Sequence, residues 1–183
     1  SASPMGSTFD VAVDGILDGI MVPLIRQRRR TDCGVACLLM VLNFYHCITS
    51  YESLCRMAGV DEEKGTSLAK MVETIEQFGL LAEAVRGGRE AFFENYVLPC
   101  IALVQLQTGA MHYVVVYERS RKRVIIADPA VGIIKLRPEE FLDGKKRRWF
   151  AARYHWTGIL IFMKKKVSGE QFSIEERYGE TSI

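Results

Sequence analysis

Apolar positions take two textures along the chain. Helical spacing dominates up to about residue 98, and short dense runs follow Pro99. Val35, Ala36, Leu38, Leu39, Leu42, Phe44 and Tyr45 form one stripe and predict an amphipathic helix opening near Cys33. Thr31 and Asp32 are both acceptable N-caps for it. A second helix is predicted over Ser50–Ala58, with Leu54 and Met57 inward and Gly59 ending it. A third spans Ser67–Phe78, where Leu68, Met71, Val72, Ile75 and Phe78 share a face and Gly79 closes the element. Leu80–Val85 reads as a strand broken by Gly87-Gly88, and Arg89–Tyr96 as a short helix.

After Pro99 the runs are rich in Val, Ile and Tyr. Strands are predicted at Cys100–Leu106, Met111–Glu118, Arg123–Asp128, Gly132–Leu136 and Thr157–Met163, with Pro138–Leu142 as a helical turn. Helices followed by a mostly antiparallel sheet make the fold class α+β. Upstream, Val22–Ile25 is extended, and Phe9–Ile20 fits a short helix or an ordered arm equally well. Ser1–Ser7 reads as a cloning remnant. The expected organisation is therefore a remnant and arm over 1–21, one domain over 22–163, and a polar tail or linker over 164–183.

Composition narrows the function classes. A chain of 183 residues is long enough for one domain burying about 70% of its unfolded surface. With 49% hydrophobic and 25% charged residues and a net charge of +2, overall charge gives no reason to expect a nucleic-acid partner. Arg26 with Arg28–Arg30, and Lys145–Arg148, are basic clusters that suit solvated faces or an acidic peptide. No apolar run approaches the ~20 residues of a membrane helix, and no secretory signal stands at the amino end, so a soluble cytoplasmic chain is expected. Five cysteines without regular spacing read as reduced thiols and not as a disulfide framework.

Candidate chemistry centres on Arg26-Gln-Arg-Arg-Arg-Thr-Asp-Cys33-Gly-Val-Ala-Cys37. In the first turn of a helix, the dipole and the unpaired N–H groups favour an anion, and the thiolate is the form of cysteine that attacks. Taken alone, Cys33 is better read as a small buried core thiol, so its partners decide. Of three histidines, His46 lies too far along the same helix and His155 falls in a basic aromatic stretch. His112 opens a strand. If the Met111–Glu118 and Arg123–Asp128 strands pair symmetrically about a turn centred near Ser120, His112 stands opposite Asp128 on one face, with Cβ atoms ~5 Å apart. Asp128 is then expected to accept from Nδ1–H and leave Nε2 for the nucleophile. Gln27 is either polar loop or a donor completing an oxyanion hole with the Cys33 N–H. A zinc site on Cys33, Cys37 and His46 or Cys47 would need ligands from the far end of the helix, beyond bonds of ~2.0–2.3 Å, so no metal or cofactor is expected.

Gln27, then Asp32-Cys33-Gly34-Val35-Ala36, then His112-Tyr-Val-Val-Val and Ala127-Asp128-Pro129, resembles the C39 family of cysteine peptidases. These are the peptidase domains of ABC exporters that process bacteriocins, lantibiotics and quorum-sensing peptides. The resemblance covers about residues 22–163 and includes Trp156-Thr-Gly158. It implies a papain-like fold and removal of a leader from a precursor peptide after a double-glycine (Gly-Gly or Gly-Ala) motif. It also implies roles: Cys33 nucleophile, His112 base and acid, Asp128 orienting carboxylate, Gln27 oxyanion donor. The implied partners are a precursor with an amphipathic helical leader and the transmembrane and ATPase parts of an exporter. A leader-binding module that does not cut would lack the cysteine; another papain-like thiol hydrolase differs only in substrate. Where many relatives carry glycine after the first helix, this chain has His46, and a changed turn is expected there.

Overall fold

A computed structural model of the chain describes residues 11–12, 16–17, 20–21, 23–145 and 154–167, with side chains from residue 23 onward. In chain order the elements are β1 (Val11–Ala12), β2 (Ile16–Leu17), β3 (Ile20–Met21), β4 (Leu24–Ile25), α1 (Cys33–Phe44), α2 (Tyr51–Met57), α3 (Leu68–Gln77) and β5 (Leu80–Arg86). A 3₁₀ turn at Ala91–Phe93 precedes β6 (Cys100–Leu106), β7 (Met111–Arg119), β8 (Val124–Asp128), β9 (Gly132–Leu136), α4 (Pro138–Leu142) and β10 (Tyr154–Lys165). The arm is strand and not helix: β1 pairs with β4 and β2 with β3. Ser1–Ser7, expected to be a remnant, residues 146–153 with most of the second basic cluster, and residues from 168 onward lie outside the described residues.

Helices come first and the antiparallel sheet second, as the texture change at Pro99 implies. The sheet runs β5-β10-β6-β7-β8-β9, with every neighbouring pair antiparallel. Alternation along the strands sends Ala84, Ile101, Tyr113, Val115 and Ile161 to a core shared with α1–α3. The intervening Val85, Ala102, Val114, Val116 and Leu160 enter a second core with Phe92, Phe141, Tyr154 and Trp156. Both faces of the sheet are therefore covered, so its central strands read as continuous apolar runs.

Helices α2 and α3 begin and end where local chemistry dictates. Ser50 and Ser67 accept from the backbone N–H groups of Ser53 and Lys70, and Gly59 and Gly79 follow the last turns with φ of +55° and +77°. Helix α1 departs from its one-sided reading. Cys33–Leu38 and Met40–Leu42 are all buried, because the helix packs on β7 and is flanked by α2, α3 and β4. A helix wrapped by partners must be apolar all round.

Three further expectations are corrected. Residues 89–96 hold only the 3₁₀ turn, with Glu94 already extended at ψ 166°. The burial of Phe92 against Trp156 and Phe141, at ring-centroid distances of 5.1 and 5.6 Å, decides that segment. Strand β10 starts earlier than its apolar run because a bulge between Trp156 and Ile159 lets Tyr154–Trp156 pair with β6, and it ends later because Lys164 and Lys165 pair with β5. Gly158 turns that bulge at φ +91°, where a Cβ would lie 2.8 Å from the Gly87 carbonyl oxygen. Finally, the turn at His46 is unchanged. His46 holds φ +60°, its N–H donates to Asn43 O and that of Cys47 to Leu42 O. This is the paired closure of a helix that glycine usually makes, with histidine in the left-handed position.

Candidate active site

The antiparallel order brings one end of each central element to the same edge of the sheet: the start of β7, the end of β8 and the start of β10. The start of α1 is drawn to that edge by close packing. At Gly34 a Cβ would stand 3.0 Å from Met71 Sδ, 3.3 Å from Thr66 Cβ and 3.4 Å from the Tyr113 ring. A side chain at this position would press on Met71 of α3 and on Thr66, which would have to give by a few tenths of an ångström. Cys33, the first residue of α1, is 9% exposed at this junction.

His112 and Asp128 are brought together as predicted, with a different register and the other ring nitrogen. Val115 pairs with Ala127 and Val116 with Ile126, and a bulge then shifts the ladder so that Glu118 pairs with Ile125. Extending the pairing puts Asp128 opposite Val114, two residues from His112 and on the same face. The side chains meet on the diagonal, with Asp128 Oδ1 2.8 Å from His112 Nε2. Nδ1 is thus the ring nitrogen that Asp128 does not take, and Cys33 lies near enough to help raise the ring's pKa. A single-residue insertion would reverse a side chain, but here the two positions keep their parity.

The carboxylate is fully engaged. Besides the histidine, Oδ1 accepts the Ala130 N–H at 2.8 Å and Oδ2 accepts the Tyr154 hydroxyl at 2.5 Å. Tyr154, buried at the start of β10, is the residue that sequence reasoning missed. It lies 26 positions from its partner, and no local spacing announces such a contact. Burial pulls the Asp128 carboxyl upward, but the His112, Tyr154 and Ala130 hydrogen bonds outweigh it and hold the group below the ordinary carboxylate range. For His112, burial disfavours the imidazolium, yet hydrogen bonds to Asp128 and Cys33 raise it from 6.5 to about 9. The ring therefore carries its proton at neutral pH.

Gln27 lies on the loop before α1, stitched to the turn after Asp128. Its N–H donates to Pro129 O at 3.0 Å, and Arg26 Nη1 donates to Val131 O at 3.2 Å. Its side-chain amide is turned inward: Nε2 donates to Arg29 O and Arg30 O at 3.1 and 3.3 Å, and Oε1 is buried without a partner among the described residues. Donating to an oxyanion requires a rotation about the end of this side chain. His46 and His155 are exposed and belong to other parts of the surface. All five cysteines are free thiols. Burial pushes Cys37, Cys47, Cys55 and Cys100 upward, making each a poor nucleophile near neutral pH. Among the described residues no helix is long and apolar enough to cross a membrane.

Comparison with known proteins gives the same picture. The model of the peptidase C39 family matches residues 21–168. The chain is 35% identical over 147 residues to the lactococcin-G-processing and transport ATP-binding protein LagD of Lactococcus lactis subsp. lactis. That match takes in 80% of this chain and 19% of LagD, so the chain spans about a fifth of that relative's length. A double-glycine-motif protease from an AMS/PCAT transporter, solved in complex with a leader peptide, superimposes with a TM-score of 0.64 at 28% identity, covering 79% of this chain and 92% of that one. The peptidase domain of Streptococcus ComA, described as a bifunctional ABC transporter of a quorum-sensing pathway, gives 0.67 at 25% identity over 78% and 98% of the two chains. The α+β architecture is thus that of C39 peptidase domains, papain-like as expected.

Proposed function

The chain belongs to the peptidase C39 family, and from that premise we propose that it removes leader peptides from ribosomally made precursors by cutting after a double-glycine motif. Cys33 is the nucleophile, His112 the base and acid, Asp128 the residue that orients the imidazole, and Gln27 an oxyanion donor. One observation supports the reading: His112 stands 2.8 Å from the Asp128 carboxylate, and Cys33, at the start of a helix, is close enough to raise the ring's pKa. LagD, which processes lactococcin G, and the double-glycine-motif protease, seen with its leader peptide, both support it.

In the reaction the Cys33 sulfur adds to the carbonyl carbon of the second leader glycine. The resulting oxyanion takes hydrogen bonds from the Cys33 N–H and, after its rotation, from the Gln27 amide. His112 passes its Nδ1 proton to the departing amine as the C–N bond breaks and the thioester remains. Water, losing a proton to the same nitrogen, then releases the leader acid and restores the thiolate–imidazolium pair. Two glycines before the cut suit a channel too narrow for side chains, and the rest of the leader docks as an amphipathic helix. The basic loop Arg26–Arg30 attracts its acidic residues. By this reading the chain works on the cytoplasmic side of the membrane, beside the transmembrane and ATPase parts of an exporter.

The test is incubation with a panel of double-glycine precursors, with products weighed by mass spectrometry. One cut directly after the second glycine is expected, and Cys33→Ala should bind precursor without cutting it. Leader release by Cys33→Ala would refute the assignment.

A further inference from the structure

Resting on the reading of Cys33 as nucleophile, we infer that Tyr51 and Arg29 are positioning residues that hold the Asp32 carboxylate off the start of α1. That helix end is then open to the negative charge that develops there. An aspartate at an N-cap ordinarily turns its carboxylate onto the N–H of the second or third helical residue. Asp32 is the N-cap of α1 and makes no such bond, at φ −92° and ψ 7°. Ser50 and Ser67, the caps of α2 and α3, stand at ψ 157° and both make it.

At ψ 7° the Asp32 side chain does not face those N–H groups, and other partners hold it where it points. Its Oδ2 accepts the Tyr51 hydroxyl at 3.0 Å and Arg29 Nε at 3.3 Å. The Tyr51 oxygen in turn accepts the Arg28 N–H at 3.0 Å, so its own proton is committed to Asp32. Arg28 is taken up by Glu52, which leaves Arg29 as the cation paired with Asp32. Asp32 is 1% exposed and its Oδ1 is buried without a partner among the described residues. The side chain therefore forgoes both the cap and half of its hydrogen bonding.

The gain is electrostatic. A carboxylate in the capping position would neutralise the positive end of α1 and face both the Cys33 thiolate and the oxyanion. Held sideways by a phenol and a guanidinium, it leaves the start of α1 without a side-chain cap.

The experiment compares the full chain with Tyr51→Phe, Asp32→Ala and the double variant, each checked for native fold by near-ultraviolet circular dichroism. Two rates are read: alkylation of Cys33 by iodoacetamide at mildly acidic pH, and cleavage of a synthetic peptide whose helical leader ends in Gly-Gly. Tyr51→Phe is expected to slow alkylation and lower kcat about three- to tenfold, with KM unchanged. Removing Asp32 in the same background restores both. A Tyr51→Phe variant as reactive as the parent overturns the inference. So does a double variant as slow as Tyr51→Phe, which would assign the effect to the Arg28 N–H that Tyr51 also holds. If the double variant does not fold, the amide protons of Gly34 and Val35 in Tyr51→Phe decide: downfield movement supports a swing of the carboxylate onto them, and unmoved signals refute it. Alkylation needs no peptide, so an uncut peptide counts against the proposed function and leaves this inference to be judged on the thiol.

Discussion

Asp128 meets His112 across the diagonal of the β7–β8 hairpin, Oδ1 to Nε2 at 2.8 Å, and this contact raises the pKa of the ring. The carboxylate helps keep the ring charged up to about pH 9. A buried imidazole without it would lose its proton far earlier.

Activity should therefore fall on the alkaline side near pH 9, as His112 loses the proton it gives to the leaving amine. In Asp128→Ala that limb moves down toward 6.5, and kcat drops by about 10²-fold or more. The stability contribution has the matching sign. His112 is raised in the fold, so its share is complete below 6.5 and is lost as pH rises through about 9. Asp128 is lowered, so its share is present above the ordinary carboxylate range and is lost as pH falls. Melting temperature and kcat/KM across pH check both limbs.

Tyr154→Phe keeps the ring packed near Phe141, at 6.2 Å between centroids, and removes only the hydroxyl on Asp128 Oδ2. Stability should fall by about 1.5–3 kcal/mol, the usual worth of a hydrogen bond to a charged group. With one lowering influence gone, Asp128 protonates at higher pH, so the acid limb of the stability profile moves up while the alkaline limb stays near 9. An unmoved acid limb would show that the hydroxyl only fills space.

Gln27→Ala should lower kcat by about 10²–10³-fold with KM little changed, the usual cost of one oxyanion donor. Because the amide also satisfies the Arg29 and Arg30 carbonyls, the variant should lose about 1 kcal/mol of stability. Stability loss with full kcat would confine Gln27 to shaping the loop.

His46→Gly should stabilise the chain by about 1 kcal/mol, the left-handed penalty a side chain carries at φ +60°. Cleavage should be unaffected at the far end of α1. Chemical denaturation reads the first and peptide cleavage the second.

The sequence by itself determined what depends on neighbours along the chain. Periodicity located α2, α3 and most strands, and serine and glycine marked the ends of those two helices. Alternation along a strand, given symmetric pairing, put His112 and Asp128 on one face, and the observed register differs by two residues, which preserves that parity. Tertiary structure alone decided the diagonal contact, the ring nitrogen that Asp128 takes, the hydroxyl of Tyr154, the inward turn of Gln27 and the grip of Tyr51 on Asp32. Each of these rests on partners from separate elements or on a rotamer set by packing. A repeating pattern of apolar residues says which way a side chain faces, and the closing of the sheet against α1 says what it finds there.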